Sequence, residues 1–186
     1  MSEDIALLIR AADYAARAHV NQRRKGAQKR PYLNHLLEVS HAVSAHTGAP
    51  VEVLCAAILH DIVEDTPVTN AQVRADFGDT VADLVAEVTD DRSLPRDVRK
   101  QKQVEHAPHL SEPACWIKIA DKTSNVRDLA LDPPPTWTLK RMLAYVDWAE
   151  RVVSALQFKQ PGLMAIFQTV CQESRRSFQE KFEGAT

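Results

Sequence analysis

The sequence has no long apolar run. Its 186 residues contain no stretch approaching the roughly 20 apolar residues of a membrane-spanning helix. The beginning, MSEDIALLIRAADYAARAH, places acidic residues first and lacks the basic start and the apolar block of a secretory signal. We therefore expect a protein that neither enters a membrane nor is exported.

Cysteine is also scarce. The three cysteines, Cys55, Cys115 and Cys171, are odd in number, lie in apolar segments and show no paired metal-binding spacing. This usage is typical of reduced thiols that pack as small hydrophobic side chains, so we expect a cytoplasmic protein. The formal net charge of −2 gives no indication of nucleic acid as a partner.

The few glycines argue against a sheet-rich fold. Only five glycines and short β-branched runs are present, and apolar residues recur at helical spacing through most of the chain. The sequence predicts an all-α fold of about eight to ten helices in a single domain, residues 1–186. The predicted helices include a continuous central one over 51–65, two short ones capped by Thr69 and Asp79 on either side of Gly78, and later ones over 96–106, 114–130, 138–157 and 162–182.

The segment ILHDIVEDTP places four ionisable residues at the end of the predicted central helix. At about 3.6 residues per turn, His60 lies one turn before Glu64, and Asp61 lies one turn before Asp65. An imidazole beside a carboxylate suits a divalent metal such as Mn, Fe or Zn. In the alternative interpretation, His60 is a hydrogen-bonded core residue and the acids form a solvated last turn. Carboxylates at a helix C-terminus oppose the macrodipole by roughly 0.3–1 kcal/mol each, which weakens that alternative and calls for a compensating cation.

Two further segments offer partners for this pair. In PYLNHLLEV, His35 lies at the start of a predicted helix, where Asn34 or a neighbour can serve as the cap. In WIKIADKTSNV, Asp121 lies within an apolar stripe, and a buried carboxylate without a partner is costly. An ordinary ion pair of Asp121 with Lys118 or Lys122 is the alternative here.

The order His, then His-Asp, then Asp over three predicted helices resembles the HD metal-dependent phosphohydrolase superfamily. The wider pattern consists of RRK with PYLNH, then HDIVEDT, then TDD with LP, and then KIADKTSNVRDL. Over residues 11–153, this pattern resembles the hydrolase domain of the RelA/SpoT group. The resemblance extends through RMLAYVDWAERVV and is strongest to small stand-alone alarmone hydrolases, including the metazoan SpoT-like ones. It leaves no residues for the synthetase or regulatory domains of the long bifunctional enzymes.

The resemblance implies hydrolysis of the 3′-pyrophosphate of ppGpp and pppGpp, which gives GDP or GTP plus pyrophosphate and lowers the stringent-response alarmone. It also implies one divalent metal, usually Mn²⁺, with Fe and Zn as open alternatives. By the same resemblance, Glu64 and Asp65 form the catalytic acid pair. The implied metal ligands are His35, His60, Asp61 and Asp121, and the implied substrate-binding residues are Arg24, Lys25, Arg96, Asn125, Arg141 and Tyr145.

The sequence departs from the family pattern at two places. Leu36 follows His35 where many relatives have proline, and Lys29-Arg30 replaces the usual glycine before PY, with Gly26 further upstream. The second change leaves the conformation of the basic loop 22–31 open.

Other functions are compatible with the same ligand set. They are a deoxynucleoside 5′-monophosphatase, an NADPH 2′-phosphatase, and a module that binds the alarmone without cleaving it. The sequence does not decide among ppGpp, pppGpp, pGpp and NADPH, nor does it fix the oligomeric state, for which a homo-oligomer is one alternative.

Overall fold

The computed structural model describes the backbone of residues 2–183 and the side chains of residues 2–181. This part of the chain forms ten α-helices and no strand, which confirms the all-α prediction. The helices are α1 (Glu3–Ala18), α2 (Leu33–Thr47), α3 (Val51–Leu59), α4 (Ile62–Asp65), α5 (Asn70–Phe77), α6 (Asp79–Val88), α7 (Arg96–His106), α8 (Glu112–Leu131), α9 (Leu139–Ala155) and α10 (Pro161–Glu183), with a short 3-10 turn at Ala107–His109 between α7 and α8.

Helix α8 runs through the middle of the fold. It begins after Ser111, whose side-chain oxygen accepts a hydrogen bond from the Ala114 N–H, and it packs against α2, α6, α9 and α10. Twelve of its 20 residues are buried, and these include charged and polar side chains as well as Ile117 and Ile119. An apolar stripe alone does not account for buried charges, so this helix carries more than core packing.

The second central helix, α3, is shorter than predicted. The predicted helix over 51–65 ends at Leu59, and His60 and Asp61 form a turn before the single helical turn of α4. At Asp61, φ is −100° and ψ is 0°, which lies between the helical and extended regions. The His60 ring nitrogen Nδ1 bonds the Ala57 carbonyl oxygen at 2.8 Å. The helix therefore ends before the acidic residues, so these carboxylates do not lie in its last turn.

Helix caps were predicted in part. Thr69 and Gln72 form a capping box at the start of α5, and Gly78, with φ of 86°, separates α5 from α6, as predicted. The prediction of Asp79 as a cap was wrong, because Gly78 is the N-cap and Asp79 is the first helical residue. At α2, neither Asn34 nor a neighbour supplies a side-chain cap, and the helix begins at Leu33, two residues before His35.

The structure also places the three cysteines and gives the hydropathy of the helices. All three cysteines are buried free thiols, in agreement with their assignment as hydrophobic side chains. Among the described residues, no helix is long and apolar enough to cross a membrane.

Candidate active site

Three of the four predicted metal ligands, His35, His60 and Asp121, come together at one point, and the fourth, Asp61, lies beside the two histidines. His35 lies in the first turn of α2, His60 and Asp61 form the turn after α3, and Asp121 lies in the middle of α8. The Nε2 atom of His35 is 3.3 Å from an Asp121 oxygen, and the Nε2 atom of His60 is 3.1 Å from an Asp61 oxygen. One ligand atom each from His35, His60 and Asp121 lies within 4.8 Å of the others. The arrangement offers two nitrogens and two carboxylates.

The two histidine Nε2 atoms are suited to hold a metal. Both are buried, and neither has a hydrogen-bond partner among the described residues. A buried polar atom without a partner is unusual in a folded protein and calls for an explanation such as an ion. The two imidazole nitrogens and two carboxylates form a donor set that divalent transition metals accept. The site thus fits the divalent metal that an HD-type sequence implies.

The charges of these groups depend strongly on one another. Burial disfavours a charged ring at His60, but the carboxylates of Asp61 and Asp121 outweigh burial and raise the pKa of His60 to about 10. Burial likewise opposes the charges of Asp61 and Asp121. At Asp61 the two histidines hold the carboxyl pKa well below its usual range, and at Asp121 Lys122 and the histidines do so. Two buried carboxylates thus create a strong local demand for positive charge, which a divalent cation meets.

The two carboxylates have partners outside the ligand set. The Tyr32 hydroxyl donates to Asp61 at 2.6 Å, and the Lys122 ammonium lies 2.9 Å from Asp121. The ion pair with Lys122, considered above as an alternative to a metal, is therefore present beside the histidines and does not replace them. Lys118 does not pair with Asp121, because its ammonium donates to the Val88 carbonyl oxygen at 2.9 Å.

Glu64, which follows the predicted metal ligands His60 and Asp61, has polar partners of its own. One Glu64 oxygen accepts from Arg99 at 3.2 Å, and the other accepts from the Asp90 N–H at 3.3 Å. Burial, with Asp90 and Asp61 nearby, raises the pKa of Glu64 to about 7. Such a carboxyl group can accept a proton near neutral pH.

Asp65 is more firmly held than Glu64. Its two oxygens are paired with Gln22, whose Nε2 donates at 2.6 Å, and with Arg92, which lies at 3.0 Å. Arg92 and Arg99 supply positive charge to Asp65 and Glu64. The sequence argument for a compensating cation placed these acids in the last turn of a continuous helix, whereas α3 ends before them at Leu59.

Positively charged side chains line, together with the acids, a cavity of about 250 Å³. Helix α7 contributes three of them at a spacing of three to four residues, and the basic loop contributes Lys25, whose pKa is lowered by burial and by nearby arginines. The α7 residues are Arg96, Arg99 and Lys100. A cavity lined by both carboxylates and cations, next to the predicted metal ligands, suits a polyphosphate.

The basic loop lies against α8 and is held by Asn125 and Asp128 of that helix. Arg24 donates to Asn125 at 2.9 Å and also to Asp128, and Arg30 donates to Asp128 at 2.8 Å. Asn125 in turn donates to Asp121 at 2.5 Å. Arg24 and Asn125 thus use some of their donor and acceptor atoms for hydrogen bonds within the protein. These bonds link the loop to Asp121, a predicted metal ligand.

The left-handed backbone of the loop occurs at Lys29, with φ of 50°. Gly26 lies so close to α8 that a Cβ atom there would come within 2.4 Å of the Asp132 carbonyl oxygen. Glycine is therefore needed at position 26, upstream of the site where the family pattern places it.

The remaining predicted substrate residues surround Trp137. The guanidinium of Arg141 lies 4.3 Å from the Trp137 ring centre and that of Arg96 lies 6.0 Å from it. The Tyr145 ring centre is 5.8 Å from that of Trp137. A second cavity of about 230 Å³ extends from here past the basic loop. A flat aromatic ring beside stacked guanidinium groups can hold a nucleobase or a phosphate.

Several residues of the site were not predicted from the sequence. Arg99 and Lys100 could have been found, because they share one face of a charged helix with Arg96. Tyr32 and Gln22 had no such signal, because they reach Asp61 and Asp65 over 29 and 43 positions of the chain.

Known proteins resemble this chain in sequence and in fold. Residues 11–150 match the HD domain family. The chain belongs to the HD-domain family. Among curated HD-domain relatives, the guanosine-3′,5′-bis(diphosphate) 3′-pyrophosphohydrolase MESH1 of Xenopus tropicalis is 46% identical over 158 residues, which cover 84% of this chain and 88% of the relative. MESH1 of Homo sapiens has the same identity and coverage, and MESH1 of Drosophila melanogaster is 44% identical over 153 residues, covering 82% of this chain and 86% of the relative.

A solved structure supports the same relationship. A metazoan orthologue of SpoT that hydrolyses ppGpp superimposes on this HD-domain chain with a TM-score of 0.86 at 40% identity, covering 90% of this chain and 95% of the other. The resemblance to metazoan SpoT-like hydrolases is thereby confirmed.

Proposed function

We propose that this HD-domain protein hydrolyses the 3′-pyrophosphate of ppGpp and pppGpp, giving GDP or GTP and pyrophosphate. The observation that carries the proposal is the pair of buried histidine nitrogens facing two carboxylates, with Glu64 and a cation-lined cavity beside them. Relatives that are 44–46% identical over most of the chain are named as enzymes of this reaction.

We assign the metal to His35, His60, Asp61 and Asp121, and we propose Mn²⁺ as the physiological ion. A bound divalent cation would act as a Lewis acid that lowers the pKa of a water molecule and polarises a phosphoryl oxygen. In this assignment Tyr32 and Lys122 hold the two carboxylates in place.

Glu64 is the proposed general base. Its raised pKa and partly buried carboxylate suit it to take a proton from the attacking water. The new bond forms between the water oxygen and the phosphorus atom next to the ribose, and the bond from that phosphorus to the ribose 3′ oxygen breaks. The pyrophosphate leaves with the added oxygen, and the ribose oxygen gains a proton. Asp65, held by Gln22 and Arg92, supports this arrangement.

Cations supply the binding energy for so anionic a substrate. Lys25 and Arg96 line the cavity that contains the acids, where they can contact phosphate groups. Tyr145 and Arg141, beside Trp137, would contact the nucleoside part. Arg24 and Asn125 would contact the substrate through the donor and acceptor atoms that are not used in their hydrogen bonds within the protein.

The test is incubation of purified, Mn²⁺-loaded protein with ppGpp, followed by product analysis. We expect GDP and pyrophosphate. Intact ppGpp would refute the proposal, and so would faster release of phosphate from a deoxynucleoside monophosphate or from NADPH than of pyrophosphate from ppGpp.

The role of Glu64 is tested by Glu64→Gln, which keeps the shape of the side chain and removes the base. We expect turnover to fall by about 10²–10⁴-fold. The matched control is Glu173→Gln at an exposed position on α10, which should leave turnover unchanged. Unchanged turnover in Glu64→Gln would be inconsistent with its role as the base.

A further inference from the structure

His35, one of the two histidines assigned to the metal, is connected to the protein surface by a chain of hydrogen bonds. The Nδ1 atom of His35 lies 2.9 Å from the Ser124 hydroxyl oxygen, and that hydroxyl donates to Glu38 at 2.7 Å. The second Glu38 oxygen accepts from Arg127. The His35 and Ser124 side chains are buried, whereas those of Glu38 and Arg127 are about one-third exposed.

The direction of these hydrogen bonds follows from the chemistry of the groups. A carboxylate only accepts hydrogen bonds, so the single hydrogen of the Ser124 hydroxyl points to Glu38. The Ser124 oxygen can then only accept from His35, so the ring carries its proton on Nδ1. In the neutral ring, Nε2 is left with a lone pair, and this atom faces Asp61 and Asp121 at 3.7 and 3.3 Å.

We propose that Glu38, acting through Ser124, is a positioning residue that fixes the ring of His35 with Nε2 available to bind the metal. The inference rests on the metal site of the proposed function, but it concerns only how that site is prepared. Without a carboxylate at position 38, the Ser124 hydrogen could turn towards Nδ1, and the ring would then carry its proton on the atom that must face the metal.

The other histidine does not depend on such a chain. The Nδ1 atom of His60 bonds the Ala57 carbonyl oxygen at 2.8 Å, and a carbonyl can only accept. Backbone geometry therefore fixes His60, whereas side chains fix His35. Hydrogen-bond partners behind metal-bound histidines are commonly worth 10–100-fold in metal affinity, and we expect an effect of about that size at His35.

The first variant is Glu38→Gln. Because Arg127 only donates, the glutamine should turn its carbonyl oxygen to Arg127 and its NH₂ group to Ser124, so the Ser124 hydrogen would point to His35. We expect Mn²⁺ binding, measured by electron paramagnetic resonance of the free ion, to weaken by about 10–100-fold. Adding Arg127→Met should let the glutamine turn back and restore most of the affinity.

A matched control exists elsewhere in the fold. The Ser111 hydroxyl donates to Glu87 at 2.6 Å, and no metal-cluster histidine follows it. Glu87→Gln changes the same kind of pair and should leave Mn²⁺ affinity unchanged. If Glu38→Gln binds Mn²⁺ within twofold of the unmodified protein, or if Glu87→Gln weakens binding equally, the proposal is wrong. Failure of Arg127→Met to restore binding would also contradict it.

A second variant guards against loss of folding in the first. Ser124→Ala removes the link itself and should weaken Mn²⁺ binding to the same extent. The double variant Glu38→Gln/Ser124→Ala should bind Mn²⁺ no more weakly than Ser124→Ala alone, because the two residues act in series. Circular dichroism of each metal-free variant checks the fold.

A spectroscopic measurement separates positioning from simple stabilisation. In Zn²⁺-loaded protein labelled with ¹⁵N-histidine, the Nδ1 proton of His35 should exchange slowly with water and should lose this protection in Ser124→Ala. Rapid exchange in the unmodified protein would overturn the assigned hydrogen-bond direction. None of these measurements uses ppGpp, so a failed hydrolase assay with normal metal binding would count against the proposed function alone.

Discussion

Asp128 joins the basic loop to the central helix, and its removal gives a quantitative prediction. It accepts hydrogen bonds from both Arg24 and Arg30. Burial opposes the charge on Arg24, but Asp128 outweighs it and raises the pKa of that guanidinium. The side chains of Arg24 and Asp128 are only 10% and 18% exposed, so the pair is largely shielded from water. In Asp128→Asn, Arg24 would remain nearly buried and would lose its counter-charge.

The magnitude follows from this burial. Removing one partner of a buried ion pair costs about 3–5 kcal/mol. Arg24 keeps its bond to Asn125, and the new amide oxygen can still accept one hydrogen bond. We therefore expect Asp128→Asn to lower the free energy of unfolding by about 2–3 kcal/mol, or the melting temperature by about 4–12 °C for a chain of this size. The KM for ppGpp should rise as well, because the loop that carries Arg24 and Lys25 would lose its anchor.

The assay is urea unfolding followed by circular dichroism, with a surface pair as the control. Asp83 pairs with Arg74, and their side chains are 67% and 41% exposed. Asp83→Asn should cost less than about 1 kcal/mol, because exposed ion pairs contribute little. If the two variants lose equal stability, the argument from burial is refuted.

Three further predictions concern the core, the loop and the metal. Ile117→Ala should cost about 2–5 kcal/mol in urea unfolding, because Ile117 is fully buried, whereas Ile9→Ala at a 56% exposed position should change stability by no more than about 0.5 kcal/mol. Gly26→Ala should raise the KM for ppGpp, because the added methyl group would overlap Asp132, and an unchanged KM would contradict the close approach seen here. EDTA treatment should abolish hydrolysis and lower the melting temperature, and Mn²⁺ at about 100 times its Kd should restore about 2.7 kcal/mol of stability. Activity and melting temperature that do not respond to EDTA would argue against a metal enzyme.

The sequence predicted those features well that depend on neighbouring residues, such as the apolar stripe around Asp121 and the helix caps. The apolar stripe around Asp121 indicated a buried carboxylate in need of partners, and that residue is indeed buried beside two histidines and Lys122. Thr69 and Gly78 marked a helix start and a helix end, because capping depends on neighbouring residues.

Non-local contacts were beyond a single sequence. The break between α3 and α4 was missed, because the run from Val51 to Asp65 contains no glycine or proline, and the turn at His60 and Asp61 forms where α2 and α8 bring His35 and Asp121 against it. The internal bonds of Arg24 were missed as well, because its partners on α8 lie about 100 positions further along the chain.

Helix α8 lies at the centre of the core and also carries Asp121, one of the proposed metal ligands. The motions of the core and of this side of the site are therefore coupled. Opening the middle of α8 would expose Ile117, Ile119 and Asp121 together, which amounts to unfolding the whole domain. The amides around Asp121 should therefore exchange with deuterium only at the rate of global unfolding. The basic loop is held mainly by side-chain bonds to Asp128 and Asp132, so it can open at a much lower free energy. We therefore expect substrate to enter and product to leave past the basic loop, because that side of the cavity opens at a lower free energy than the side formed by α8.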